Sequence, residues 1–177
     1  MLHMQFRLDA AREQTMRRRM IGLTAMIALA LGLAAVPAFA QADIGVTGAG
    51  GGIYPPNTAY NSVPLSGLQF GFGVNVRAIG TVGGRVNITL LGTSALGGAQ
   101  NIEVDGKATA GSATIGSTAT VSGTATVDMG DGTAPLLNVP FTLTVVTKAD
   151  AQGTLTLVLG TTNLPAATIN DGAIAVQ

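Results

Sequence analysis

The 177-residue sequence contains no cysteine and no tryptophan, and its one histidine, His3, stands near the start. The first absence removes disulfides, so stability must come from packing, hydrogen bonding or a bound ion. The shortage of cysteine and histidine leaves zinc and most transition metals without their usual ligands. It also leaves a serine nucleophile without its usual base. Aromatic residues make up 4% of the chain and charged residues 10%. Beyond residue 40 the aromatics are Tyr54, Tyr60, Phe70, Phe72 and Phe141. The chain therefore offers few platforms for stacking on sugars or bases.

What is present begins with a leader. Arg17, Arg18 and Arg19 precede an uncharged apolar run from Met20 to Val36, and Pro37-Ala38-Phe39-Ala40 supplies a small-x-small cleavage site. The run is 17 residues long, against roughly 20 for a membrane span. Residues 1–40 are expected to be a signal peptide with its core at 16–40, cut after Ala40 and exported by the general secretory route. Either Met1 or Met16 serves as its start. After cleavage no membrane span is expected. The remaining 137 residues carry Arg77, Arg85, Lys107 and Lys148 against Asp43, Glu103, Asp105, Asp128, Asp131, Asp150 and Asp171, a net charge of −3. That mildly acidic balance has no basic footprint for nucleic acid.

The rest of the sequence is written in period two. Val139, Phe141, Leu143 and Val145 alternate with Pro140, Thr142, Thr144 and Val146; Leu155, Leu157 and Leu159 alternate with Thr154, Thr156 and Val158. Strict alternation marks half-buried strands, and β-branched Thr and Val suit a pleated surface. The same pattern appears at 68–79, 85–91 and 119–127, and more weakly at 44–47, 100–105, 112–116 and 172–176. Gly83-Gly84, Gly97-Gly98, Asp105-Gly106, Asp131-Gly132 and Asp171-Gly172 read as turns between them. The expected fold is all-β: an antiparallel β-sandwich, Ig-like or jelly-roll-like, of about eight or nine strands. The expected core is Phe70, Phe72, Val74, Val76, Val86, Ile88, Leu90, Val121, Val127, Phe141, Leu143, Val145, Leu155, Leu157 and Leu159. A Gly/Pro-rich lead-in at 41–67 would precede the sandwich domain at 68–177.

Four motifs bear on chemistry. Gly48-Ala49-Gly50-Gly51-Gly52 is glycine-rich, but Pro55-Pro56 opposes the helix that a phosphate loop needs, so close backbone packing or a flexible lead-in is expected. Asp128-Met129-Gly130-Asp131-Gly132 resembles part of a calcium loop. Asp128 and Asp131, with Asp150 if folding gathers it, form the candidate metal site, and Ca2+ is the one cofactor considered; an ordinary Asp-Gly turn is the competing reading. Glu103 and Asp105 share a strand face but lack an aromatic platform for glycoside hydrolysis. Thr118-Ala119-Thr120, Thr124-Ala125-Thr126, Thr142-Leu143-Thr144 and Thr154-Leu155-Thr156 present regular outward threonines, either a surface for ordered water or polymer or simply the solvated side of strands.

Thr47–Ile53, Phe70-Gly71-Phe72-Gly73-Val74-Asn75-Val76, Val121–Ala125, Phe141–Val146, Gly153–Leu157 and Asp171–Val176, in that order, resemble the small all-β post-COAP-type domain of bacterial secreted and cell-surface proteins. The resemblance spans nearly all of 44–177. It implies an accessory module with no assigned reaction.

The functional expectation is a non-enzymatic structural or interaction domain, periplasmic or extracellular, meeting an unknown protein or glycan partner at the envelope. The alternative is a carbohydrate- or surface-binding module, possible calcium included, with Tyr54 and Tyr60 displayed on a loop as its ligand-binding aromatics.

Overall fold

Alternating Val, Leu and Phe with Thr, Gly and Asn produces long, two-faced strands. The computed structural model describes residues 42–78, 80–148 and 153–177. The export-signal reading at 1–40 lies outside the described residues. The strands are β1 (Ile44–Ile53), β2 (Ala59–Tyr60), β3 (Val63–Val76), β4 (Val82–Gly92), β5 (Ile102–Thr114), β6 (Thr118–Asp128), β7 (Leu136–Val146), β8 (Thr154–Leu159), β9 (Thr162–Asn163) and β10 (Ala167–Val176). There is no helix among the described residues.

Every pairing is antiparallel, and the order returns to its start. β3 to β8 pair in succession, β8 meets β10, β10 meets β1, and β1 meets β3. The result is one sheet closed into a ring of eight long strands. The short β2 and β9 lie against β3 and β8. The expected antiparallel all-β fold is present, and its strands join in one sheet. Period two reports which side of a strand is buried, and it is identical for a sandwich and for a sheet wrapped on itself. The ring is closed unevenly. β1 and β3 pair over ten positions, Ile44–Val76 to Ile53–Gly67, whereas β8 and β10 pair only at Leu155–Ala167 and Thr154–Thr168.

The lead-in at 41–67 opens with the strand expected near 44–47, but that strand runs on to Ile53. Its glycines lie inside β1, a full strand that touches both neighbours in the ring. Glycine weakens strand propensity, but here it supplies space. A Cβ at Gly48 would stand 2.5 Å from Phe72 Cζ, so the ring of Phe72 occupies the place a side chain would take. Gly106 serves Phe141 in the same way, with a Cβ position 2.9 Å from Phe141 Cε1. Pairing small residues with large ones fills a narrow interior. Asp105-Gly106, Asp171-Gly172 and Gly83-Gly84, expected as turns, likewise run within β5, β10 and β4.

The inward residues form one apolar core. All the expected core residues are buried except Val76, which is half-buried and packs against it. Leu68, Ile102, Leu164 and Ile169 join them. Burying one such aliphatic side chain contributes about 1.5–3 kcal/mol before entropy is counted. Many outward positions are polar: Gln69, Asn75, Arg85, Asn87, Glu103, Asp105, Lys107, Thr124 and Thr126 are exposed, beside the exposed apolar Ile53, Leu136 and Leu137. No helix among the described residues is long and apolar enough to cross a membrane.

Four irregularities bend the wall. The register shifts by one residue at Leu65/Gly67 in β3, Ala108/Ala110 in β5, Ala125/Val127 against β7, and Gly51/Gly52 against β10. Bulges of this kind raise local twist and curvature.

Candidate functional site

Among the described residues, the singled-out tyrosines are buried while Asp128 and Asp131 lie at the β6–β7 connection, and Asn61, next to Tyr60, reaches that connection, its Nδ2 donating to Met129 Sδ at 3.9 Å. Tyr54 and Tyr60 are buried, each with 4% of its surface exposed, so neither is a displayed aromatic platform. The cause is local. Inward alternation carries on past the end of β1, and hydrogen bonds tie the following segment down: Tyr54 N–H to Ser66 O (3.1 Å), Leu65 N–H to Thr58 O (2.8 Å) and Thr58 Oγ1–H to Pro55 O (2.7 Å). Tyr60 sits in β2, opposite Val63. Burial raises the acid dissociation constant exponent of both phenols above its ordinary value near 10. The Tyr54 hydroxyl is buried with no hydrogen-bond partner among the described residues.

The two candidate calcium ligands within the described residues are already engaged. Asp128 Oδ1 accepts the Gly130 N–H at 2.9 Å. Asp131 Oδ1 accepts the Thr133 N–H at 2.9 Å and the Thr133 hydroxyl at 2.7 Å. Those bonds, the hydroxyl's first, lower the pKa of Asp131. Both patterns are side-chain turns that tighten the β6–β7 connection. Asp150 lies outside the described residues. Among the described residues there is no group of three His, Cys, Asp or Glu side chains able to share an ion.

Two other surfaces emerge on the outer wall. The first is a field of small side chains on β6, β7 and β8. The register lines up Thr118, Val146 and Thr154; then Thr120, Thr144 and Thr156; then Ser122, Thr142 and Val158. All nine are half-buried, none carries charge, and the Thr120 and Thr144 hydroxyls lie 3.2 Å apart. The repeating Thr-x-Thr runs were visible in the sequence; their alignment across three strands was not, because it depends on register.

The second is a polar cleft of about 230 Å³ crossing β4 to β7, lined by Arg85, Asp105, Lys107, Thr124, Thr126 and Asn138. Arg85 stands directly opposite Lys107, Lys107 opposite Thr124, and Asp105 opposite Thr126. Arg85 Nη1 donates to both Asp105 oxygens at 3.3 Å. The pair is solvent-exposed, with 75% and 58% of the side chains accessible, so it contributes no more than about 1 kcal/mol to stability. Asn138 has φ of 58°, in the left-handed region, at the β7 bulge. Sequence reasoning missed this cleft because its members come from four strands and form no local motif. Glu103 is exposed on β5 but does not line it.

Searches against family models, curated proteins and solved structures find no match to this chain. The resemblance to the post-COAP-type domain thus rests on its short Gly-, Thr- and Val-rich segments alone.

Proposed function

We propose that this chain is an exported, non-enzymatic interaction or structural domain of the bacterial envelope or surface, and that it makes its contacts with the outside of the barrel wall. The uncharged threonine field on β6–β8 carries this reading. Nine aligned small side chains, all half-buried, present methyls and hydroxyls at regular strand spacing. Little side-chain entropy is lost when such short groups are covered. The leader pattern at 16–40 supports export. The large aliphatic and aromatic side chains packed inside the barrel support contact by the wall rather than the lumen. The scarcity of catalytic side chains supports a non-enzymatic role.

The test places one long cation in the middle of the field. Thr144→Lys is expected to abolish co-sedimentation and cross-linking of the protein with isolated cell envelopes while leaving the melting midpoint within a few degrees of the parent. Undiminished envelope association in Thr144→Lys would remove the threonine field from the proposal. A parent protein that associates with no envelope component would remove the proposal itself. The carbohydrate-binding alternative draws its support from the cleft rather than from Tyr54 and Tyr60.

A further inference from the structure

The cleft on β4–β7 contains an arrangement that stability alone does not favour. Two of the four cations beyond residue 40 stand directly opposite each other, Arg85 across from Lys107. Like charges in that relation destabilise a sheet. Asp105 pairs with Arg85, and Lys107 makes no ion pair among the described residues. The remaining lining adds neutral polar groups. The side chains of Thr124, Thr126 and Asn138 make no hydrogen bond among the described residues and are exposed. The pattern is an excess positive charge beside two hydroxyls and an amide.

The size and the missing aromatics narrow the ligand. A volume of about 230 Å³ falls below the range of roughly 300–1,000 Å³ usual for drug-sized molecules. One ring of an extended chain suits it better than a complete cofactor. A neutral sugar would find no aromatic face to stack on, since all five aromatics of the described residues are buried. We propose that this cleft holds an acidic sugar unit of a polysaccharide. Its anionic group lies between Arg85 and Lys107, and its ring hydroxyls meet Thr124, Thr126 and Asn138. A guanidinium provides a planar fork for a carboxylate or sulfate, and an ammonium adds a compact second charge. Asp105 holds the Arg85 fork in place and repels a ligand seated with its anion on the wrong side. The cleft adjoins the threonine field, Thr124 following Ser122 on the same face of β6, but the two share no residue, so either can fail alone.

Calorimetric titration of the purified protein at low salt tests this with four probes: oligogalacturonate, a sulfated oligosaccharide, a neutral malto-oligosaccharide and inorganic phosphate. The expected result is binding of at least one acidic oligosaccharide, with the stronger of the two identifying carboxylate or sulfate as the group recognised. Affinity should weaken as salt is raised and fall about tenfold or more in Lys107→Glu and in Arg85→Glu. Both substitutions lie on the exposed wall, so unchanged melting midpoints should show intact folds, and Thr126→Ala should weaken binding without altering its salt dependence. Four results would each overturn the proposal: no binding of either acidic oligosaccharide, equal binding of the neutral one, phosphate binding as tightly as the sugars, or acidic binding that survives both charge reversals. Envelope association that persists in Lys107→Glu while acidic-sugar binding is lost would leave the threonine-field reading untouched.

Discussion

At the scale of single residues, the least comfortable group in the molecule is the Tyr54 hydroxyl, buried and without a partner among the described residues. A buried polar group that makes no hydrogen bond retains its desolvation penalty, about 1–3 kcal/mol. Tyr54→Phe removes the hydroxyl and keeps the ring, so the variant should be as stable as the parent or up to about 1 kcal/mol more stable in urea denaturation. It should also change the response to alkali. The folded-state pKa of Tyr54 is raised above the ordinary value near 10, so its contribution is fully present below pH 10 and is lost as pH climbs through the elevated value. Parent stability should therefore fall above pH 10, and Tyr54→Phe should fall less steeply. An equal alkaline slope in the two proteins would mean that Tyr54 ionises in water. The burial of Tyr54 was hidden in the sequence by Pro55-Pro56, which reads as a loop. The link to Val63 was hidden as well. Asn61 and Ser62 both adopt left-handed φ, 46° and 68°, and form a tight two-residue turn between Tyr60 and Val63. Sequence signals for such turns favour Asn-Gly, and serine in the second place is not one of them.

At the scale of elements, the ring has one short join. β8 and β10 share two paired positions, against eleven between β3 and β4. Opening a join costs roughly the hydrogen bonds and burial it contains, so local opening should begin there. Hydrogen exchange should show the amide of Ile169, which donates across the join to Gly153 O at 3.0 Å, exchanging ahead of those in the middle of β3 and β4. Uniform protection around the ring would contradict this order. The strands themselves were legible. Alternation at 139–146 and 154–159 gave the paired β7 and β8, with Phe141 opposite Leu159 and Val146 opposite Thr154. Closure was not legible. It depends on β1, whose run of glycines carries almost no apolar signal because Phe72, directly opposite Gly48 on the neighbouring β3, supplies the side-chain volume.

At the scale of the whole folded unit, the interior and the wall divide the work. Aliphatic and aromatic residues packed inside provide cohesion; the outside carries the threonine field and the charged cleft. Asp128 and Asp131 hold local turns through Gly130 and Thr133, so a strong chelator is expected to leave the melting midpoint unchanged. A drop of several degrees that calcium restores would instead indicate an ion bound only by the folded state, with Asp150 the first ligand to examine. The sequence showed the acidic residues but not their hydrogen-bond partners, and it is the partners that decide between a turn and a ligand set.

The pairing of Val46 with Val176 has a kinetic consequence. The first long strand cannot complete its ladder until the last one has been made, so the molecule has a high contact order. Chains dominated by such remote contacts fold slowly, over milliseconds to seconds.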